Sequence, residues 1–423
     1  MNHDISQSVS QRGNGEETAE NRRIHEIADE LRRRCQLYEA QLRDGQDDVN
    51  HLDVEQRVAE QYAKENGMWL PMRCQRFMLI LLMLFFVGGI SAQDSSQLSA
   101  EAEALLQCLK DIEGVKTLSG TMANVNWNIN EAKWVHQHTG KWPALNCFDY
   151  IHHPFSKKGG WIDYTNVTEV YNWHRQGGVV AIMWHWNVPA NKNGEYSFYW
   201  GDEDDKTTFD VRKIFEPESD EYKLMMKDID TIISYLKLLK QRKIPVLWRP
   251  LHEAGGQWFW WGRDAEACNE LWRVMYQRFQ EAGLNNLIWV WTQAAAWNKP
   301  YSEGYKWYPG DEYVDIVSID VYNNNSASNI YRTCYKFLKD SSPNKLVALT
   351  ECGNVPKISA QWRAGAKWLF FMPWYDYGRT NNPNSNDFQS TDHSNCNAAW
   401  WTEAFSNDYV LSREDFKTGI PNR

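Results

Sequence analysis

The 423-residue sequence predicts an α/β fold, a single (β/α)8 TIM barrel, on three observations. Eight short apolar runs alternate with longer stretches of helical pattern across roughly 300 residues, the extent such a barrel needs. The runs are apolar almost throughout, as strands covered on both faces must be. No G-x-G-x-x-G or G-x-x-x-x-G-K-[ST] loop follows any of them, which leaves the competing doubly wound sheet without a nucleotide site to support it.

Taken in order, the expected strands cover residues 117–120, 145–149, 179–185, 245–251, 287–292, 314–322, 346–351 and 368–373. The clearest helix spans 222–242, where Leu224, Ile229, Ile232, Ile233, Leu236 and Leu239 recur at helical spacing. A second spans 264–282, with Leu271, Val274, Met275 and Phe279 on one side. No long linker, repeat or low-complexity block interrupts residues 93–423, which therefore read as one catalytic domain.

The chain ahead of that domain carries an address. Residues 77–87 form one strongly apolar run, preceded by Arg73 and Arg76 and followed by Gly88-Gly89-Ile90-Ser91-Ala92. A basic start, an apolar stretch and a small-residue end describe a secretory signal peptide. The run falls well short of the ~20 residues that a membrane-spanning helix needs. Met72 stands directly before Arg73. The simplest reading puts the true start there, a signal over 72–92, and a polar upstream extension over 1–71. The competing reading is a cytoplasmic head with an uncleaved anchor. Export implies a secreted or periplasmic protein with no stable membrane span after signal cleavage. Cys108, Cys147, Cys268, Cys334, Cys352 and Cys396 follow the run. An exporting route permits pairing among them, but their spacing shows neither a small disulfide framework nor a C-x-x-C metal motif.

Composition narrows the partners. A net charge of −10 disfavours nucleic acid, whose binding depends on a basic surface. The 23 tryptophans fit either a Trp-rich core or flat faces for stacking on sugar rings. Asp202-Glu203-Asp204-Asp205 lacks the alternation and glycine of a calcium loop and reads as a solvated surface loop. His152-His153 has no third ligand at metal spacing. No cofactor or metal is expected.

In a (β/α)8 barrel the reacting groups sit at the C-terminal ends of the strands. Those ends offer Asp149, His185, Arg249, His252, Glu253, Trp291, Asp320, Tyr322, Glu351 and Trp374. Glu253 and Glu351 are carboxylates at or just past the end of an apolar strand. Glycoside cleavage needs two carboxyls flanking the scissile bond, one to protonate the leaving oxygen and one to attack or to activate water. The bland alternative for Glu253 is an ion pair with Arg249, and for Glu351 a solvated strand terminus. Gly255-Gly256 and Trp258-Phe259-Trp260-Trp261 follow Glu253, giving a turn and an aromatic surface. Asp320 and Tyr322 are two apart and share a strand face. From there Tyr322 is placed to donate its hydroxyl to Glu351, and Asp320 either to act directly at the site or to serve as a helix N-cap or bridge partner.

These residues resemble glycoside hydrolase family 26, whose best-known members are endo-β-1,4-mannanases. The resemblance covers about residues 100–415. It rests on Ser119-Gly120, Trp184-His185-Trp186-Asn187, Arg249-Pro250-Leu251-His252-Glu253, Ser318-Ile319-Asp320-Val321-Tyr322, Thr350-Glu351 and Met372-Pro373-Trp374, in that order. It implies a retaining double displacement on mannan, glucomannan or galactomannan, with Glu253 as acid/base and Glu351 as nucleophile. His252 and Tyr322 match residues that contact the nucleophile. Arg249, His185, Trp258 and Trp374 match the pocket around the cleaved sugar, with Asp320 beside it. Mixed-linkage β-glucan and β-1,3-xylan are substrates of similar proteins and stay open as alternatives, as does a non-catalytic carbohydrate-binding barrel.

Overall fold

A computed structural model describes residues 98–124, 127–295, 301–322 and 328–416. The expected signal peptide and upstream extension lie outside the described residues.

Eight parallel strands form where the apolar runs predict them: β1 Thr117–Met122, β2 Leu145–Asp149, β3 Val179–Met183, β4 Val246–Arg249, β5 Leu287–Ala294, β6 Ile316–Tyr322, β7 Leu346–Gly353 and β8 Phe370–Pro373. Each pairs with the next, and β1 pairs with β8 through Leu118 opposite Phe370, which closes the barrel. Two strands stop before their expected ends. Beyond β4, Pro250 has no N–H to give a ladder and Leu251 takes a left-handed φ of 48°. Beyond β3, the His185 amide donates to Asp149 Oδ1 at 3.1 Å instead of to a neighbouring strand.

Helices α1 Ala100–Ile112, α2 Asn130–Thr139, α3 Thr168–Arg175, α4 Asp220–Gln241, α5 Ala265–Glu281, α6 Ser328–Ser341, α7 Ile358–Arg363 and α8 Ala398–Phe405 surround the barrel. The two expected helices are α4 and α5. Ser219 and Asp264 cap them by accepting from the amides of Tyr222 and Ala267. Strict alternation fails between β5 and β6. Among the described residues that connection holds only the turn Tyr301–Gly304 and two 3-10 turns, Tyr305–Trp307 and Asp311–Tyr313.

The barrel interior follows the two-residue period of a strand. Leu118, Leu145, Val179, Leu247, Ile288, Ile316, Leu346 and Phe370 point inward at the lower end. Leu105 and Leu109 of α1 join this cluster and stop the N-terminal mouth. Further up the same face the residues become Asp149, Arg249, Thr292, Ser318 and Asp320, all buried. An apolar floor thus carries a charged upper layer at the C-terminal end. The Trp content is explained mostly by core packing: nine tryptophans are among the largest fully buried side chains, most of them in the outer layer between strands and helices.

No disulfide joins the six cysteines among the described residues. The acidic 202–205 loop is solvent-exposed, with Glu203 bound to Lys206 at 2.7 Å. No helix among the described residues is long and apolar enough to cross a membrane.

Candidate active site

The upper layer converges on one side chain. Arg249, at the last position of β4, donates from Nη2 to Glu351 Oε1 at 2.7 Å and to Asp320 Oδ2. Its Nε donates to Thr292 Oγ1 at 2.8 Å. Burial works against its charge, but the carboxylates of Asp320 and Glu351 raise its pKa. The guanidinium stays a cation and clamps both acids in a fixed fork.

A bulge in β7 delivers Glu351 into this layer. Ile319 faces Leu349, yet the next residue, Asp320, faces Glu351, so Thr350 is an extra residue in the ladder. Thr350 and Glu351 therefore both reach the barrel axis, which strict alternation would forbid. Thr350 Oγ1 donates to Asp320 Oδ1 at 2.6 Å, and Tyr322 OH donates to Glu351 Oε2 at 2.6 Å. Each Glu351 oxygen thus accepts from one fixed donor.

Glu253 arrives differently. After β4 the chain turns with both Leu251 and Glu253 left-handed, at φ 48° and 55°. Side chains other than glycine pay for that conformation, and it persists where the surroundings over-determine it. Here the Glu253 amide is held by the Thr292 carbonyl at 3.0 Å. The carboxylate accepts from Trp258 Nε1 at 3.1 Å. Arg249 does not pair with Glu253, so the simple ion-pair reading fails. Burial first, then the charges of Asp320 and Glu351, push the Glu253 pKa well up. Burial and Glu351 likewise outweigh Arg249 at Asp320, whose pKa rises to about 8.

One oxygen from each of Glu253, Asp320 and Glu351 lies within 4.8 Å of the others. Such a triad could by distance bracket a cation, but Arg249 already fills the space between Asp320 and Glu351 with positive charge. Two opposed carboxyls this close fit direct attack on a bound sugar; an interposed attacking water requires about 6.5–9.5 Å.

The remaining expected residues line the rim, with three departures. Asp320 has a fully buried side chain that pairs with Arg249 and so does not itself stand on the rim. His252 makes no hydrogen bond to Glu351, whose side-chain hydrogen-bond partners among the described residues are Arg249 and Tyr322. Its ring packs against His185 at 4.6 Å and Phe259 at 5.1 Å, and its Nδ1 is buried without a hydrogen-bond partner. Burial, then Arg249 and His185, push the His252 pKa well down, leaving it neutral. Trp291 faces outward and donates to the Trp307 carbonyl; its neighbour Thr292 takes the inward position by strand parity.

His185 is fixed by Asp149, which takes the ring Nδ1 at 2.5 Å. Trp374 approaches His185 at 6.1 Å and donates to Tyr377 OH at 2.9 Å. Phe198, Tyr199, Phe259 and Tyr377 complete an aromatic wall that the strand ends alone did not reveal. Tyr199 lies within electrostatic reach of Glu253 and Glu351. Of these, only Phe259 carried a usable signal in the sequence, the aromatic run that follows Glu253.

The loop after β8 that carries Trp374 and Tyr377 is fastened to the first turn of α2. Buried Glu131 accepts from the Asp376 amide at 3.2 Å, Arg379 Nη2 at 3.2 Å and His393 Nε2 at 3.3 Å. His393 Nδ1 accepts the amides of Asn395 and Cys396, which places the ring proton on Nε2 and makes it a donor. Removing one partner of a buried ion pair costs about 3–5 kcal/mol. Glu131→Ala is accordingly expected to lose about that much stability in denaturant unfolding, with Arg379 left only the longer 3.9 Å approach to Asp376. A loss under ~1 kcal/mol would show that the clasp carries no load.

Comparison with known proteins supplies the family. The model of Glycosyl hydrolase family 26 matches residues 94–400. A mannan endo-1,4-beta-mannosidase of Thermothelomyces thermophilus is 37% identical over 284 residues, covering 66% of this chain and 55% of that protein. Mannan endo-1,4-beta-mannosidase B of Piromyces sp is 35% identical, covering 56% of this chain and 39% of the relative. This chain thus spans about half or less of the length of these curated relatives. Among solved structures, the GH26 domain of a Prevotella bryantii endo-beta-mannanase/endo-beta-glucanase superposes with a TM-score of 0.66 at 34% identity, covering 75% of this chain and 97% of that one. A beta-mannanase from a symbiotic protist of the termite Reticulitermes speratus, complexed with gluco-manno-oligosaccharide, gives 0.63 at 29% identity, covering 76% and 96%.

Proposed function

Because the chain belongs to glycosyl hydrolase family 26, we propose that it is a retaining endo-β-1,4-mannanase acting on mannan, glucomannan or galactomannan. The observation that carries the proposal is the pairing of two close carboxyls in unlike environments. Glu253 has its pKa raised, and among the described residues its carboxylate accepts from a neutral donor, Trp258. Glu351 is gripped by a guanidinium and a phenol. That division suits an acid on one side and a nucleophile on the other.

In the proposed reaction Glu351 attacks the anomeric carbon while the protonated Glu253 donates to the glycosidic oxygen. The bond to the leaving sugar breaks and a glycosyl-enzyme ester forms. Glu253, now a carboxylate, takes a proton from water, which attacks the ester and releases a product of unchanged configuration. Tyr322 and Arg249 aim the nucleophile. Asp320 holds Arg249 in place. His185, Trp258 and Trp374 shape the pocket around the reacting sugar, with neutral His252 backing His185.

The β-mannan preference is supported by the names of the relatives, and export by the basic-apolar-small pattern over 72–92, which together suggest a secreted or periplasmic enzyme. A carbohydrate-binding barrel would not need Glu253 and Glu351 opposed at this distance. Product analysis on mannohexaose beside a mixed-linkage β-glucan and a β-1,3-xylan tests the reading. Internal cleavage of mannohexaose to shorter β-mannosides, with little turnover of the other two, is the expected result. Preferential cleavage of the glucan or xylan would move the enzyme to another substrate class, and no cleavage of any would leave a binding protein.

A further inference from the structure

Three hydroxylated side chains stand next to one another in the charged layer: Thr292 on β5, Ser318 on β6 and Thr350 on β7. Thr292 faces Ser318 in the β5–β6 register, and the bulge in β7 brings Thr350 Oγ1 to 3.0 Å from Ser318 Oγ. All three are buried, so each hydroxyl proton needs an acceptor inside the protein. A guanidinium has donors and no acceptor, so Thr292 Oγ1 meets Arg249 Nε with a lone pair. Its proton is left for Ser318 Oγ, 2.9 Å away. Ser318 in turn gives its proton to the Trp291 carbonyl at 3.0 Å, and Thr350 gives its own to Asp320. Every proton in the row has an acceptor, which fixes the lone pair that Arg249 meets.

That lone pair decides how the guanidinium plane is turned. Asp320 and Glu351 both bind Arg249 at Nη2. Two acids on one nitrogen hold that corner and leave the plane free to pivot about it. Nη1 faces Met183 Sδ at 3.3 Å, a weak acceptor. The bond from Nε to Thr292 at 2.8 Å is the second strong point, and two points set the orientation.

The same residue holds the other glutamate by a different group. The Thr292 carbonyl accepts the Glu253 amide at 3.0 Å, where the chain takes its left-handed φ of 55°. Trp291, Thr292 and Gln293 are all in register with β6, and a β-branched side chain has few rotamers. One residue on a paired strand thus governs Glu253 through its main chain and Glu351 through Arg249.

We propose that Thr292 is a positioning residue for the reaction, setting how the two carboxyls face each other: its carbonyl places Glu253, and its hydroxyl, through Arg249, aims Glu351. The inference rests on the reading of these glutamates as acid/base and nucleophile. Replacing the hydroxyl leaves the carbonyl in place, so it disturbs the nucleophile's side alone.

Two pairs of proteins isolate the hydroxyl. Wild type with Thr292→Val, and Thr292→Ser with Thr292→Ala, each differ at that group, and either pair decides if a member of the other fails to fold. Thr292→Val is expected to lower kcat on mannohexaose about 10- to 100-fold, the scale of a slightly misplaced reacting group. KM should stay near the wild-type value, because contacts to the bound sugar remain. Thr292→Ser should keep most of the wild-type kcat, and Thr292→Ala should fall with Thr292→Val. An aryl β-mannoside with an acidic phenol, which needs no acid, should lose kcat/KM by the same factor as mannohexaose. A hydroxyl that merely satisfies a buried donor would lower the melting temperature of the Val and Ala variants and leave kcat of the folded protein unchanged. That result overturns the proposal. So does a Ser variant as slow as the Ala variant, or an aryl substrate that is spared. Wild-type protein that turns over no β-mannoside would refute the mannanase reading instead; the same comparison then runs on whichever β-glycan it cleaves, and cleavage of none overturns both.

Discussion

Glu351→Ala is expected to lower kcat on mannohexaose on the order of 10^4-fold or more, the scale of loss when a covalent nucleophile is removed. Binding of the intact oligosaccharide should persist. The argument is positional. Glu351 lies at the centre of the charged layer, but most of the pocket wall comes from other elements: Trp258 after β4, Trp374 after β8, and His185 after β3. Removing one carboxylate leaves those surfaces in place. It also leaves Arg249 with Asp320, so the buried cation keeps a partner and the fold is expected to survive. Calorimetry with mannohexaose on the variant separates the roles. Retained affinity with no turnover supports a nucleophile. Lost affinity together with a large drop in melting temperature would make Glu351 a structural counter-ion and end the proposed mechanism.

Much of this arrangement was legible in the sequence because it depends on short-range pattern. Eight apolar runs gave eight strands, and strand ends gave the site, since a barrel puts its polar layer where the inward period meets the C-terminal rim. What escaped was whatever depends on a break in that period. The Thr350 bulge adds a residue that no propensity marks, and without it Glu351 would point into the helix layer. Trp291 stands at a strand end, but Thr292 holds the inward parity, a distinction that needs the register with β6. The lack of a His252–Glu351 hydrogen bond has a similar origin. Left-handed turns at Leu251 and Glu253 rotate the two successive side chains in ways that spacing along the chain does not report. Tyr199 and Tyr377 come from loops far from either glutamate in sequence, so only the folded chain brings them to the rim. Among the described residues, the lack of a long helix between β5 and β6 follows from 301–313, where turn residues such as Gly304, Pro309 and Gly310 replace a helical pattern.

Glu253→Ala should divide substrates by how much help their leaving group needs. On mannan, whose leaving sugar is a poor one, a loss of about 10²–10⁴ in kcat/KM is expected, the usual contribution of a positioned general acid. On an aryl β-mannoside with an acidic phenol the first step needs no proton, so glycosyl-enzyme formation should proceed near the wild-type rate and the covalent intermediate should accumulate. A burst of phenol followed by slow turnover is the signature, and equal loss on both substrates would count against acid catalysis. The pH profile supplies a second check. The acid works only when protonated, and burial with the nearby charges of Asp320 and Glu351 raises its pKa well above the ordinary glutamate range. Activity on mannan should therefore persist above that range and fall as pH rises through the folded-state pKa of Glu253. The variant has no such group to lose. Its residual kcat/KM on the aryl substrate should lack that alkaline fall, and an unchanged alkaline limb would assign the titration to a different residue, with Asp320 as the neighbouring candidate.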